Sequence, residues 1–254
     1  MSDRLEIVPV RGLPEVGAGD RLGELIAASL ASAGELLAAG DVLVVSQKAV
    51  SKAEGRVRAL DDVVAGEQAQ GLAKRLGKDP RLVELILAES RAVIRAEREV
   101  LIVETLSGWI CANAGIDASN VPGADRVTLL PEDCDASARR IRAEIGAAAG
   151  VQTAVVVADS FGRPWRLGQA DVAIGCAGLA PLDDWRGRAD REGRPLTATV
   201  VAIADELAAA ADLAGGKDSG IPACLVRGLG HFVSAEDGPG ARAIQRPERE
   251  DLFR

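Results

Sequence analysis

Several residue types that support common binding and catalytic chemistries are scarce in this sequence. Tyrosine is absent, and the 254 residues include only three phenylalanines, three tryptophans and one histidine, His231. So few aromatic rings argue against base stacking as the main mode of ligand binding. One histidine argues against a histidine-rich metal site and against a histidine-centred catalytic triad.

Paired cysteines and long apolar runs are also missing. The four cysteines, Cys111, Cys134, Cys176 and Cys224, are widely spaced and form no CxxC motif. This spacing argues against a zinc site and predicts reduced thiols in the core. The N-terminus has no signal-peptide pattern, and charge interrupts every apolar stretch before ~18 residues. We therefore expect a cytoplasmic protein without a membrane span.

The composition of the rest of the sequence is typical of a soluble globular protein. Hydrophobic residues make up 48% and charged residues 27%, with a net charge of −8. The length suits one large or two small domains. The acidity argues against non-specific nucleic-acid binding, which usually needs a basic surface. A phosphate ligand stays possible in principle because a local cluster of Arg and Lys is enough to bind it.

Apolar periodicity predicts strands and helices that do not alternate strictly. The predicted strands are 5–10, 41–46, 153–158, 171–176 and 221–226, with a hairpin over 99–105 and 108–112. The predicted helices run from Asp20 towards Gly40, from Asp79, from Asp135 to Gly150, and over 196–214. This order favours an α+β fold of mixed sheets with flanking helices. The sequence shows no repeat, linker or clear domain boundary.

The stretch from Val151 to Gly178 carries a candidate cation site. Its buried strand is followed by Asp159 and Ser160, which offer charged and neutral oxygen ligands to a hard divalent cation. Arg163 and Arg166 follow and could contact phosphate or carboxylate. The alternative is an ordinary Asp/Ser turn with surface arginines.

Two further polar segments follow predicted strands. Gln47 to Arg56 contains Lys48 and Lys52, which are candidate phosphate contacts or part of a solvated basic turn. The loop from Asn113 to Gly123 offers the carboxylate of Asp117 and small residues that let backbone approach a ligand. Its alternative is an Asx-turn loop.

Taken together, six collinear segments resemble the coenzyme F420-0:L-glutamate ligase family, also called F420 γ-glutamyl ligase. They are GLPEVGAGD (12–20), SQKAVSKAEGR (46–56), ICANAGIDASNVP (110–122), LLPEDCDASA (129–138), ADSFGRPWRLGQADVAIGCAG (158–178) and GIPACLVRG (220–228). Each segment alone is weak evidence, but six matches in the family's order are specific.

The resemblance implies a GTP-dependent ligase that adds L-glutamate to coenzyme F420-0 and then a further γ-linked glutamate. It also implies Mg²⁺ or Mn²⁺, help from K⁺, and a mixed α/β fold in an intertwined homodimer. Some relatives carry a C-terminal nitroreductase-like domain, for which this chain is too short. We expect one module over residues 1–254, with two interleaved subdomains as an option.

The resemblance also assigns individual residues by position. Asp117 and Asp159 match ligands of one metal, and Ser160 matches a ligand of a second. The matches to GTP contacts are Leu13, Pro14, Glu15, Val16, Gln47, Lys52 and Asn120. Arg163 and Arg166 are our own additions as contacts for an anionic substrate.

One segment departs from the family pattern. The loop GGKDSGIP has Lys217 near the place where the family has an acidic or amide ligand of the second metal, and Asp218 could replace it. Three alternatives remain open at this point: a related ligase acting on a different acid, a nucleotide-binding homologue without turnover, and a structural protein whose polar loops are only turns.

Overall fold

A computed structural model describes residues 4–119, 123, 125–216 and 219–252, and it confirms the expected α+β fold class. The helices are α1 (Leu22–Ser32), α2 (Gln47–Ala53), α3 (Glu67–Leu76), α4 (Pro80–Ala88), α5 (Cys134–Ala149) and α6 (Ile203–Gly215). The strands are β1 (Glu6–Pro9), β2 (Val42–Ser46), β3 (Val57–Ala59), β4 (Ser90–Glu97), β5 (Val100–Thr105), β6 (Ile110–Ala112), β7 (Arg126–Thr128), β8 (Ala154–Arg163), β9 (Arg166–Ala177), β10 (Asp183–Asp184), β11 (Val200–Val201) and β12 (Ala223–Arg227).

The central sheet has the strand order β1-β12-β2-β8-β9. Only β2 and β8 pair in parallel, and the other neighbours are antiparallel. Residues 42–45 of β2 and 154–158 of β8 are at most 5% exposed. Such continuous burial explains their unbroken apolar sequences, which are rich in β-branched valine. Helices α5 and α6 both pack on β8 and β9, and α1 packs on α5.

A second hydrophobic cluster is formed by the middle of the chain. It comprises buried residues between Leu60 and Leu129, including Val83 and Ile86 of α4 and Leu101 and Val103 of β5. The antiparallel sheet β4-β5-β6 and the β3-β7 pair belong to this region. The other hydrophobic cluster surrounds the central sheet, and most of its residues precede or follow this region in sequence. The division into two interleaved subdomains stays a prediction.

Several predicted boundaries were wrong. Asp133, not Asp135, caps α5 by accepting the backbone N–H of Ala136 at 2.9 Å. Asp135 is instead buried and accepts N–H groups of Cys176 and Ala241 at 2.9 and 2.7 Å. The Asp135 carboxylate therefore ties α5 to β9 and to the C-terminal segment, a long-range role that a local capping pattern does not reveal.

The first helix is also shorter than predicted. It ends at Ser32, because the chain turns at Gly34, whose φ of +79° favours glycine. Asp20 does not cap it, since its carboxylate accepts the N–H of Gly17. Strand β4 was missed, because its arginines Arg91 and Arg95 are four positions apart, a spacing that also fits one face of a helix. Helix α6 begins at Ile203 rather than at residue 196.

No helix within the described ranges is both long enough and apolar enough to cross a membrane.

Candidate functional site

A cavity of about 740 Å³ opens at the carboxyl ends of the two parallel strands β2 and β8. Its walls are the loop 13–16 after β1, residues of α2, Asp117, residues 158–160 of β8, the end of α6 and residues 220–224. Ligands commonly bind at the carboxyl ends of parallel strands, where loops supply polar groups. The cavity is the candidate site on this geometry alone.

One wall joins the loop after β1 to helix α2. Lys52 Nζ lies 2.6 Å from Glu15 Oε1. The lysine side chain is 16% exposed, and the glutamate side chain is 71% exposed. Leu13 to Val16 all line the cavity beside this pair. A largely buried lysine at a cavity wall is well placed to bind a phosphate, provided that the exposed carboxylate of Glu15 moves away from it.

A second ion pair lies on the wall formed by the loop before β7. Lys48 Nζ is 2.7 Å from Asp117 Oδ2, and Asp117 Oδ1 accepts the N–H of Ser119 at 2.6 Å. Backbone hydrogen bonds between Asp117 and Thr128 hold this part of the loop against the end of β7. Burial raises the pKa of the Asp117 carboxyl, but the hydrogen bonds from Lys48 and Ser119 outweigh burial, so its pKa lies below the ordinary value.

Another acidic side chain of the cavity, that of Asp171, lies on the β8-β9 hairpin. A register shift in β9 follows the Val157–Gly175 pair, and beyond it Ser160 faces Asp171. The Ser160 hydroxyl donates to Asp171 Oδ1 at 2.5 Å. Without this bulge Ser160 would face Val172, because an extra residue on one strand moves every later pair by one position. The bulge therefore brings a carboxylate and a hydroxyl together at the cavity wall.

Asp159 carries the strongest electrostatic perturbation of the cavity. The pKa of its carboxyl is raised to about 7, mainly by burial. The carboxylates of Asp171 and Asp117 add to this rise, whereas the N–H of Ser160 and the charge of Lys48 oppose it. Ionised Asp159 is therefore poorly compensated by the protein itself. A bound cation would stabilise the ionised form of this carboxylate, so the site favours cation binding.

The donor set of this wall fits a hard divalent cation. Asp117, Asp159 and Ser160 all line the same cavity and present oxygen atoms, which Mg²⁺ and Mn²⁺ prefer. Among the residues that the structure describes, no three Asp, Glu, His or Cys side chains form a metal-binding group by themselves. Mg²⁺ is commonly held by one or two carboxylates together with substrate phosphates and water, so a nucleotide would complete such a set.

The other residues named from the sequence have different surroundings. Gln47 is 1% exposed, is not among the described residues that line the cavity, and its amide N and O have no hydrogen-bond partner there. Arg163 and Arg166 are exposed at the far end of the hairpin and do not line the cavity. Asn120, Lys217 and Asp218 lie outside the described residues.

Sequence reasoning missed Asp171, Gln169 and Asp212, which also line the cavity. Asp171 and Gln169 alternate along β9, a pattern that could have indicated a shared face. Strand β8 was expected to end at Ala158, although it continues to Arg163. Asp159 and Ser160 therefore lie within a paired strand and not in a turn.

Comparison with known proteins identifies the family. The sequence model of the family described as F420-0:Gamma-glutamyl ligase matches residues 12–228. The chain belongs to this family. The matched range contains every cavity-lining segment described above.

Curated relatives of the chain are named coenzyme F420:L-glutamate ligase and have nearly the same length. The Methanothermobacter thermautotrophicus protein named coenzyme F420:L-glutamate ligase is 45% identical over 253 residues, covering 98% of this chain and 99% of that protein. The Methanopyrus kandleri protein of that name is 44% identical, covering 99% and 97%. The Methanocaldococcus jannaschii protein of that name is 41% identical and covers 85% of each chain.

Proposed function

We propose that the chain is a GTP-dependent ligase that adds L-glutamate to coenzyme F420-0 and then a further glutamate in γ-linkage. The family membership and the names of the curated relatives support the glutamate and F420-0 parts of this proposal. The main structural support for a nucleotide site is that one cavity contains both the carboxylates of Asp117 and Asp159 and the ammonium groups of Lys48 and Lys52. A nucleotide triphosphate with its metal needs both kinds of charge.

The chemistry must activate a carboxylate, which is a poor electrophile. A carboxylate oxygen of the acceptor attacks the γ-phosphorus of GTP, and GDP leaves, which gives an acyl phosphate. The glutamate amine then attacks the acyl carbon, loses a proton and expels phosphate. The products are an amide, GDP and phosphate, and the bridging oxygen of the acyl phosphate comes from the acceptor carboxylate.

In this proposal the acidic wall holds the metal. Asp117 and Asp159 would hold one divalent cation and Ser160 would help to hold a second, and cations bound there would neutralise the charge of the transferring phosphoryl group. The segment Leu13 to Val16 and Lys52, which line the cavity, would contact GTP. The GTP contacts assigned to Gln47, which is buried and is not part of the cavity lining, and to Asn120, which lies outside the described residues, stay predictions from the family resemblance. Lys52 supplies a point charge to a phosphate oxygen, and Glu15 keeps its ammonium at the cavity wall before GTP arrives.

The decisive experiment is to incubate the protein with F420-0, GTP, Mg²⁺ and L-glutamate and record a mass spectrum of the deazaflavin product. A mass gain of one or more glutamate residues, with GDP formed, is expected. GTP binding without any product would favour a non-catalytic homologue. Phosphate release with another acid, but not with F420-0, would favour a related ligase.

Oxygen-18 tests the acyl-phosphate step separately. F420-0 labelled in its acceptor carboxylate should transfer one labelled oxygen to the released phosphate. Phosphate that contains label only when the solvent water is labelled would contradict acyl-phosphate formation and indicate GTP hydrolysis.

Replacement of Lys52 by methionine should raise the KM for GTP by roughly 10- to 100-fold, the effect of losing one charge-assisted hydrogen bond. Steady-state kinetics with varied GTP measure this change. Lys74, an exposed lysine of α3, provides the matched control, and Lys74→Met should leave KM unchanged. An unchanged KM in Lys52→Met would remove this residue from the nucleotide site.

We also propose that the chain forms a homodimer through the tip of the β8-β9 hairpin. Trp165 and Leu167 at this tip are 80% and 99% exposed, and exposed apolar side chains on a projecting element often mark an interface. Light scattering should find a dimer for wild type and a monomer for the double variant Trp165→Ser/Leu167→Ser. Val64→Ser, which changes a 90% exposed residue elsewhere, should stay dimeric. A double variant that is still dimeric would contradict this interface.

A further inference from the structure

Lys48 lines the cavity, but it is not among the residues assigned as GTP contacts or as metal ligands. It is the second residue of α2, which follows β2 directly, and its side chain is 26% exposed. Its ammonium lies 2.7 Å from Asp117 Oδ2 and 2.5 Å from the Ser119 hydroxyl. The ammonium therefore occupies one oxygen of a carboxylate that the proposed metal site needs.

We propose that Lys48 is an internal counter-ion that competes with the divalent cation for Asp117 and so makes cation binding depend on the nucleotide. This inference rests on the metal site of the proposed function and adds a residue that controls its occupancy. Lys48 would link the binding of the divalent cation to the binding of the nucleotide, and it would take part in no bond-making step.

The contacts of Asp117 explain, on electrostatic grounds, why the ammonium and the cation compete. Its Oδ1 accepts the Ser119 N–H, and its Oδ2 faces the Lys48 ammonium, so both oxygens are engaged by the protein. An ammonium and a divalent cation cannot share Oδ2 at contact distance, because like charges repel strongly there. A cation that binds Asp117 must therefore displace the ammonium.

The cavity gives the displaced ammonium somewhere to go. Lysine has a flexible four-carbon stem, and Lys48 borders a cavity of about 740 Å³. Without a nucleotide, the displaced ammonium would stay near the cation and would compete with it for the other carboxylates of the cavity, Asp159 and Asp171. Nucleotide phosphates would supply further negative charge, so cation and nucleotide should each strengthen the binding of the other by the same factor.

Lys52 provides a matched control because it is the second lysine of the same helix and also lines the cavity. Its ammonium pairs with Glu15, which is not a proposed metal ligand. Removing Lys52 takes away one positive charge from the cavity without freeing Asp117. A comparison of the two lysines therefore separates competition for Asp117 from a general change in cavity charge.

The experiment is a titration with Mn²⁺, in which electron paramagnetic resonance measures the free ion, first without nucleotide and then with saturating GDP. Without nucleotide, Lys48→Met should bind Mn²⁺ about tenfold more tightly than wild type, the order expected when a contacting like charge is removed. Lys52→Met should change the affinity less than threefold. Lys48→Arg keeps the charge and should bind Mn²⁺ like wild type. GDP should tighten Mn²⁺ binding in wild type and have a smaller effect in Lys48→Met.

Two results would overturn the inference. Unchanged or weaker Mn²⁺ binding by Lys48→Met, with wild-type binding intact and sensitive to Asp159→Asn, would reject the counter-ion role and leave the metal site standing. No saturable Mn²⁺ binding by wild type or Lys48→Met, with or without GDP, would reject the metal site as well. A gain in affinity also requires a folded site, so misfolding of Lys48→Met cannot imitate the expected result.

Discussion

Replacement of Asp159 by asparagine is expected to remove nearly all glutamate transfer, by about 10³-fold or more, and at the same time to stabilise the metal-free protein. Activity falls because the amide is a neutral and weaker ligand for a hard cation. Stability rises because wild type must hold an ionised carboxylate that burial and two neighbouring carboxylates disfavour, with a pKa of about 7. Loss of function and gain of stability in one variant is the pattern of a strained functional site.

The stability gain should depend on pH. The pKa of Asp159 rises from 3.8 to about 7 on folding, so the folded state binds more protons than the unfolded state between these values. The free energy of unfolding of wild type therefore falls as pH rises through this window. Asparagine has no such proton, and the difference between the proteins should grow from near zero at pH 4 to about 2 kcal/mol at pH 8. This is half of what the whole pKa difference would give, because the side chain is only half-buried.

Thermal unfolding in EDTA from pH 5 to 8 measures this difference, and the ligation assay measures the activity. Asp62→Asn, which changes an exposed carboxylate, should alter neither quantity. Near-normal turnover of Asp159→Asn would refute the metal assignment. A stability difference that stays constant with pH would show that Asp159 titrates as an ordinary carboxyl.

The second large effect is expected from Gly175→Ala, a change in the core of the central sheet. A Cβ at this position of β9 would lie 2.3 Å from the carbonyl oxygen of Cys134, at the start of α5. The obstacle is backbone, which cannot rotate away as a side chain can. We expect a loss of about 3 kcal/mol in the free energy of unfolding, at the upper end for overpacked cores.

Denaturant unfolding tests this expectation. Gly162→Ala in the same hairpin is the control, because a Cβ there would meet no atom within 4 Å. Its stability should stay within about 0.5 kcal/mol of wild type. Equal stability of the two variants would mean that α5 and β9 are not packed as closely as described. Since β9 also carries Asp171, the destabilised variant should lose activity in parallel.

The sequence predicted the parts of the fold whose patterns are local. The valine-rich strands β2 and β8 were evident because both are buried along their apolar stretch, and Asp79 with Pro80 marked the start of α4 correctly. Strand β4 was not found, because Arg91 and Arg95 are four positions apart and fit one face of a helix equally well. Asp135 was misassigned, since its partners lie 41 and 106 positions away in the chain.

The candidate site was predicted in a similarly uneven way. Oxygen ligands at Asp159 and Ser160 followed from residue type and from the end of a buried run. The pairing of Asp171 with Ser160 could not be predicted, because it depends on a bulge that no sequence pattern marks. The pairing of Lys48 with Asp117 also needed the folded chain, since 71 positions separate Lys48 from Ser119, which shares this contact. The assignments to GTP came from the family resemblance and stay predictions.

The most direct test of the central claim, that Asp117 and Asp159 hold one cation beside a guanine nucleotide, is anomalous X-ray diffraction from crystals grown with Mn²⁺ and a non-hydrolysable GTP analogue. The account predicts a manganese peak at coordination distance from both carboxylates and from a phosphate oxygen, with the Lys48 ammonium moved away from Asp117. A manganese peak elsewhere, or a nucleotide bound outside this cavity, would contradict it.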